Sequence, residues 1–160
     1  MKIYFKLFTL IILLLSPKVF AQNATLSLNS KNHDVSLPVE ITANSLLINQ
    51  ASNTAIFEGN ARVGQGLLRL AADKIIVIYN QGAEKVDSIK AMGNVLFTNG
   101  EDIAKSENAV YEINSGLLKM SGKVHLIQGK NMISGNYLDM NILKNIANLS
   151  GNVKTILAPN

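Results

Sequence analysis

The 160-residue chain has no cysteine and no tryptophan, and aromatic residues make up only 6% of it. Without cysteine, the fold cannot be stabilised by disulfide bonds, and no thiolate is present to act as a nucleophile or a metal ligand. The sequence also has no cluster of basic residues and no stripe of aromatic residues of the kind that stacks on nucleobases. Nucleic acid is therefore not an expected partner.

Histidine is scarce as well, since the chain has only His33 and His125, and neither stands at the spacing of a metal site. No nucleophile elbow or glycine-rich phosphate loop is present, and Gly64-Gln65-Gly66 is predicted to be a turn. Glu101 and Asp102 are adjacent, and adjacent strand residues point to opposite faces, so they do not form a catalytic pair. We predict no catalytic residue, no metal ligand and no cofactor, and expect that the protein is not an enzyme.

The one long apolar run lies near the N-terminus, over residues 7–15. It is shorter than the roughly twenty residues that span a bilayer. Two lysines precede it, residues 16–17 break it, and Ala21 ends a small-residue cleavage site. We predict residues 1–21 to be a cleavable signal peptide, with a retained N-terminal anchor as the alternative. Cleavage removes three of the 15 basic residues and leaves 12 against 11 acidic ones, so the exported chain is nearly neutral.

What the chain does contain is a four-fold repeat centred on glycine. The motif around Gly59 returns around Gly93, Gly122 and Gly151, at intervals of 34, 29 and 29 residues. Counting outward from each glycine in steps of two, fifteen of sixteen positions are apolar, which indicates a half-buried strand. The glycine stands on the apolar face in every copy. This position predicts a sharply bent strand or a close approach by another group.

A second apolar pattern between the glycine motifs predicts a partner strand for each of them. The inward positions of these partner strands are Leu46, Ile48, Ile75, Val77, Tyr79, Ala109, Tyr111, Ile113, Leu138, Met140 and Ile142. Four glycine strands and four partner strands, each with one apolar face, can form a two-sheet sandwich, a jelly-roll or a solenoid. The pattern is consistent with a packed core and also with an interior that takes an elongated apolar ligand.

From Pro38 to Pro159 the chain resembles the OstA-like family. Four segments carry the resemblance: Pro38–Asn44, Phe57–Ala61, Ala71–Ile75 and Val153–Pro159. It implies an all-β fold, an open twisted β-jelly-roll of repeated strand pairs over residues 38–160, after an N-terminal segment at 22–37. It also implies a periplasmic protein that binds the acyl chains of lipopolysaccharide (LPS). Such proteins join head to tail and bridge an LptC-like inner-membrane protein and an LptD-like outer-membrane translocon.

The resemblance and the strand parity together give the expected site residues. The resemblance assigns Val35, Val39, Phe97, Tyr111 and Ile113 to the lipid-facing surface. Parity places three more on the same inward face: Phe57, Val77 and Met140. Open sheets leave unpaired first and last strands. The predicted edges for joining copies and partners are therefore Val39, Ile41, Val153, Thr155, Ile156 and Leu157.

Three alternatives stay open. The same fold with a filled core could act as a membrane-anchored, LptC-like adaptor that docks partners without carrying lipid. A β-solenoid surface protein could use the same repeat, although four copies and a non-repeating segment at 23–37 disfavour it. An enzyme ranks last.

Overall fold

The computed structural model describes residues 25–27, 34–82 and 85–158, and every helix or strand in these ranges is a β-strand. The predicted signal peptide lies outside the described residues, as do residues 22–24 and 28–33. The strands are β1 Thr25–Ser27, β2 Glu40–Thr42, β3 Ser45–Asn49, β4 Thr54–Gln65, β5 Leu68–Tyr79, β6 Val86–Asn99, β7 Asp102–Glu112, β8 Leu117–Gln128, β9 Asn131–Asn141, β10 Ile146–Ser150 and β11 Lys154–Ile156.

All eleven strands belong to one antiparallel sheet, in the order β1-β10-β9-β8-β7-β6-β5-β4-β2. Strands β2 and β3 pair with opposite halves of β4, and β11 and β10 pair with opposite halves of β9. The sheet is folded across the middle of its strands, so that two layers face each other. Layer 1 contains β1, β3 and β10, layer 2 contains β2 and β11, and β4 to β9 run through both. This architecture is the all-β open jelly-roll that the sequence predicts.

The folds in the sheet fall at the glycines of the repeat. In β4 the pairing register shifts between Glu58 and Ala61, so that Gly59 and Asn60 together lie opposite one residue of β5, Asp73. Both have positive φ, 78° and 50°. The same pair of left-handed residues occurs at the other three repeat glycines, where Asn follows twice and Lys once. Glycine, and after it asparagine, tolerate this conformation best. The prediction of bent strands is confirmed.

A polar side chain lies over each repeat glycine: it comes from β5, β7 or β9 at three of them, and from Asn44, between β2 and β3, at Gly59. A Cβ added to Gly122 would stand 2.5 Å from Oε2 of Glu107. The residue after the glycine contacts the same side chain, since Nζ of Lys123 lies 2.9 Å from Oε1 of Glu107. In β6, Nδ2 of Asn94 donates to Oδ2 of Asp73 at 2.8 Å. The close approach at these glycines thus comes from the protein itself.

The two strand types cross the bend differently. In the strands that contain a repeat glycine, such as β6, every second residue faces inward on both sides of the bend. In the partner strands, such as β7, the inward positions shift by one residue at the bend. In β7, for example, the consecutive buried positions Ser106 and Ala109 are three residues apart. A bulge that sets two residues against one produces this change. The partner-strand positions predicted to face inward all lie in layer 1, and most of them are buried in the single apolar core.

Two details differ from the sequence-based expectation. Gly64 and Gln65 are the last residues of β4, so only Gly66 and Leu67 form the turn before β5. The strand extends this far because Gly64 and Gln65 pair with Arg69 and Leu68 of β5, and the Gln65 side chain has buried partners inside the fold. Strand β1 lies within the segment expected only to lead into the first strand, and it pairs with β10, at the opposite end of the sheet from β2.

We expect Gly122→Ala to destabilise the protein more than Gly100→Ala. Both glycines have positive φ, 83° and 65°, so each substitution places alanine in the left-handed region at a cost of about 1 kcal/mol. Only the methyl group at 122 would also collide with Glu107, since nothing lies within 4 Å of a Cβ at 100. Overpacking of this kind adds about 1–3 kcal/mol. Denaturant unfolding measures the difference, and equal losses in the two variants would refute the steric role of Glu107.

Candidate functional site

The residues predicted to face lipid fall into two groups by exposure. Five of them lie in the core with exposed fractions of 0% to 6%: Val77, Phe97, Tyr111, Ile113 and Met140. The other three are partly exposed: Val35, Val39 and Phe57. This second group lies toward the end of the sheet formed by β2 and β3. The side chains of the five core residues thus lie inside and fill the space between the layers, and their contact with lipid stays a prediction.

Two further apolar side chains extend the partly exposed group. Leu46 of β3 pairs with Phe57, and Ile48 of β3 pairs with Ala55, so both lie on the inward face of layer 1. They are nevertheless 53% and 64% exposed, because in the part of the chain that the structure describes no strand pairs with the other side of β3. The interior is thus closed at its centre and accessible at the β2–β3 end. We call this accessible surface the mouth; its residues are Val39, Leu46, Ile48 and Phe57.

Gln65 is the buried polar residue beside the mouth. Its Nε2 atom donates to the carbonyl oxygens of Val35 and Leu37, each at 3.0 Å. Its Oε1 atom accepts from the hydroxyl of Tyr111, on the opposite layer, at 3.4 Å. These bonds satisfy an amide that is only 2% exposed, as a buried polar group requires. Gln65 therefore links the segment before β2 to both layers.

Sequence reasoning missed Gln65 because it assigned the residue to a turn. The signal that could have found it is parity. Steps of two from Gly59 reach Gln65 after Ala61 and Val63, which makes it a polar exception on an apolar face. A polar side chain at such a position must have hydrogen-bond partners inside the fold. Tyr111, the side-chain partner of Gln65, is buried as well, and burial raises the pKa of its hydroxyl to about 12.

A second group of polar side chains lies on the inner surface of layer 2, along the margin farthest from the bends. Asn99 and Asp102 pair across the β6–β7 turn and are both buried. Oδ1 of Asp102 accepts from Nε2 of Gln128 at 3.2 Å. Burial raises the pKa of Asp102, the Gln128 bond opposes the rise, and the charge of Glu101 adds to it. With Gln65, these residues make the inner margin of layer 2 polar, whereas the interior near the bends is apolar.

Both ends of the strand order carry free edges with exposed apolar side chains. Among the described residues, β2 and β3 pair only with β4, and β11 pairs only with β9. At the β11 edge, Ile156 and Leu157 are 52% and 70% exposed, and Val153 and Thr155 are exposed too. At the other edge, Val39 and Ile41 are partly buried against the core. The predicted edge residues thus lie in or next to β2 and β11, which are each paired on one side only among the described residues, and their part in assembly stays a prediction.

Other site types are not represented in the part of the chain that the structure describes. There, no three His, Asp or Glu side chains are grouped closely enough to hold a metal ion. No described helix is long and apolar enough to cross a membrane. His125 lies on the outward face of β8, between Lys105 and Ser134 of the neighbouring strands.

We expect Asp102→Asn to stabilise the protein at neutral pH. The pKa of Asp102 in the folded state lies above its ordinary value of 3.8, so ionisation at neutral pH favours the unfolded chain. Asparagine keeps an acceptor for Gln128 and carries no charge. The advantage should shrink as the pH falls through the raised pKa of the folded state toward 3.8, and it should disappear well below 3.8, where Asp102 is protonated in both states. Thermal unfolding at several pH values measures it, with exposed Glu101→Gln as control. A pH-independent gain would contradict this explanation.

Comparisons with known proteins agree with this architecture. A Pseudomonas aeruginosa structure, described as LptH, the LptA homologous periplasmic component of the conserved lipopolysaccharide transport device, superposes with a TM-score of 0.71 at 14% identity. The match covers 79% of this chain and 99% of that one. At this identity the likeness concerns the fold alone.

Two curated relatives match by sequence. An uncharacterized protein of Rhizobium meliloti (strain 1021) is 30% identical over 111 residues, which is 64% of this chain and 60% of that protein. The lipopolysaccharide export system protein LptA of Haemophilus influenzae is 23% identical over 159 residues, covering 92% of this chain and 91% of that protein. The family described as "LptA/(LptD N-terminal domain) LPS transport protein" matches residues 40–146. This chain belongs to that family of lipopolysaccharide transport proteins.

Proposed function

We propose that this protein is a periplasmic LPS carrier that shields acyl chains between its two layers. We further propose that it joins head to tail with other copies, and with LptC-like and LptD-like partners, as a bridge from the inner to the outer membrane. The observation that carries the proposal is the folded sheet, whose continuous apolar interior is accessible at the mouth. Family membership supports it, as do the roles of LptA in lipopolysaccharide export and of LptH in the lipopolysaccharide transport device.

The mouth is the proposed site of first contact with lipid. Leu46, Ile48 and Phe57 face inward there but keep much of their surface in water. An acyl chain laid over them would bury apolar area on both partners without moving any core side chain. Each methylene removed from water contributes about 0.8 kcal/mol. A few methylenes at the mouth would therefore hold a lipid weakly and position it for deeper entry.

Deeper entry requires the layers to separate, because Phe97 and Tyr111 are buried against their neighbours. The polar margin of layer 2 lies opposite the bends, so separation there exposes amide and carboxyl groups that water can solvate. The bond between Tyr111 and Gln65 crosses the layers and is long, at 3.4 Å. Ten buried methylenes would contribute roughly 8 kcal/mol, of which opening and association remove a large part. The result is reversible binding, which suits a carrier.

The free edges support the bridge. Strand β11 offers unpaired backbone groups at one end of the sheet, and β2 and β3 offer them at the other. Pairing β11 of one copy with the first edge of the next is strand addition, and such a head-to-tail contact propagates without closing. It would also cover the exposed apolar side chains Leu157 at one edge and Leu47 at the other.

A membrane-anchored adaptor is the second candidate, and one observation favours it. The centre of the interior is filled by the protein's own side chains, as an adaptor without a lipid slot requires. The two functions also differ at the N-terminus, because an adaptor keeps residues 1–21 as its anchor. A mature chain that starts at Gln22, found by N-terminal sequencing of exported protein, would exclude the anchored form.

Site-specific photocrosslinking tests the carrier directly. A photoreactive residue replaces Tyr111, which is buried inside, and in a second protein its neighbour Glu112, which pairs with Ser88 and Leu117. A carrier gives LPS adducts at position 111 and none at 112. A third variant at Leu46 should give adducts as well, since the mouth is open. Folded protein without adducts at 111 or 46 would instead support the adaptor.

We expect Ile156→Pro to weaken head-to-tail assembly more than folding. Proline removes a backbone N–H from β11, which is only three residues long and exposed throughout. The core does not contain Ile156, so the thermal midpoint should change little. Light scattering over a concentration series gives the mass distribution. Ile156→Ala is the matched control, because it shortens the side chain but keeps the N–H. An unchanged mass distribution in the proline variant would rule out this edge.

A further inference from the structure

The outward face of layer 2 carries an excess of positive charge. The pairing register places Arg62, Lys105 and Lys154 in one row across this layer, next to the bends, with Ala71 and Leu96 between Arg62 and Lys105 and with His125 and Ser134 between the two lysines. We call the three charged residues Arg62, Lys105 and Lys154 the cationic row. Arg69 stands in the adjacent row, diagonal to Arg62. Both arginines of the chain are therefore on this face. Among the paired strand positions of layer 2, Glu40 is the one outward acid.

Neighbouring acids offset the row only in part, because one of the two nearest is paired with a cation of its own. The nearest lie at the bends, where Asp73 accepts from Asn94 and Glu107 pairs with Lys123. Glu107 is thus already matched by a cation outside the row. The side chains of Arg62, Lys105 and Lys154 are exposed to solvent. Three exposed cations therefore stand along this row, on β4, β7 and β11.

Layer 1 provides the internal comparison, because its outward face is balanced. Its paired positions hold three basic and three acidic side chains: Lys74, Lys90, Lys119, Glu58, Glu112 and Asp139. Glu58 and Lys74 form an ion pair with 2.8 Å between Oε1 and Nζ. The charge on layer 2 is consequently a property of that face and not of the whole chain.

Beside the cationic row lies an apolar one. Ile103, Ile127, Met132 and Ile156 stand next to one another on β7, β8, β9 and β11, all on the outward face. We call these four residues the apolar row. Met132 and Ile156 are 40% and 52% exposed. Four apolar side chains in line on a solvent-facing surface, bordered by cations, form a two-part recognition surface.

We propose that this face of layer 2 docks on an anionic lipid surface. The cationic row would meet lipid phosphate groups, and the apolar row would enter the boundary between headgroups and acyl chains. The eight-strand width of the layer, about 34 Å at about 4.8 Å per strand, fits a laterally uniform surface better than a single acidic segment of a protein. The inference does not depend on whether the interior carries LPS.

Vesicle flotation of the full mature protein tests the proposal without LPS. The probes are vesicles of phosphatidylcholine alone and vesicles in which about one-third of the lipid is phosphatidylglycerol. We expect binding to the anionic vesicles only, and a large loss when the salt concentration rises about tenfold, because screening shortens the range of surface charges. No binding of folded protein to anionic vesicles at low salt would overturn the proposal and leave an acidic protein as the occupant.

Charge reversal on the two layers locates the binding face. The variant Lys105→Glu/Lys154→Glu alters the cationic row, and Lys90→Glu/Lys119→Glu makes the same charge change on layer 1. Each basic group near an anionic surface contributes roughly fivefold in affinity. The layer 2 variant should therefore bind at least tenfold more weakly, whereas the control should stay within a few-fold of the wild type. Equal losses would show a general charge effect and refute a docking face.

A second readout separates this proposal from the carrier function. LPS adducts at position 111 depend on the interior, so the Lys105→Glu/Lys154→Glu variant should keep them if the protein is a carrier. Vesicle binding depends on the outward face and should survive a blocked interior. Loss of adducts at 111 together with loss of vesicle binding, in folded layer 2 variant protein, would mean that the two sites are not independent and would overturn the assignment to the outer face.

Discussion

The pair of left-handed residues at each repeat glycine is the constraint on which the rest of the structure depends. Strands of eleven to fourteen residues, such as β6, would otherwise continue in one twisted sheet with an exposed apolar face along their full length. The bends turn each strand back over itself, so that its two halves bury the same core. A glycine is needed because a neighbouring polar side chain occupies the space that a Cβ would take. The core, the mouth and the free edges all follow from this geometry.

The sequence predicts the strands and their inward residues well because a period of two is a local property. Parity around Gly93 places Ala91, Val95 and Phe97 inside, and all three are buried. What local periodicity does not contain is the register between strands. The two outward rows of layer 2 emerge only when eight strands are aligned, and the parity change inside β7 depends on bulges in its neighbours. The pairing of β1 with β10 joins residues more than a hundred positions apart, where no sequence pattern connects them.

The sequence predicts which side chains of the candidate site face inward, but it does not predict which of them are exposed to solvent. Inward parity identifies Tyr111 and Phe57 equally, yet one is closed inside the core and the other borders the mouth. Exposure depends on how closely the layers approach and on where the sheet ends, which are properties of the assembled fold. At Gln65 the sequence-based prediction of local structure itself was wrong. Its glycine neighbours suggested a turn, but the hydrogen bonds that it makes inside the fold outweigh local turn preference.

Six strands, β4 to β9, cross from one layer to the other without a break in the chain. A rotation of the layers about the line of bends therefore leaves the hydrogen bonds between strands within each layer intact. It changes mainly the angle between the two layers. The volume of the interior can therefore change while the content of secondary structure stays the same. Backbone amides on either side of the line of bends can remain protected from exchange while the gap between the layers widens. Circular dichroism would not detect such a motion, whereas small-angle scattering would.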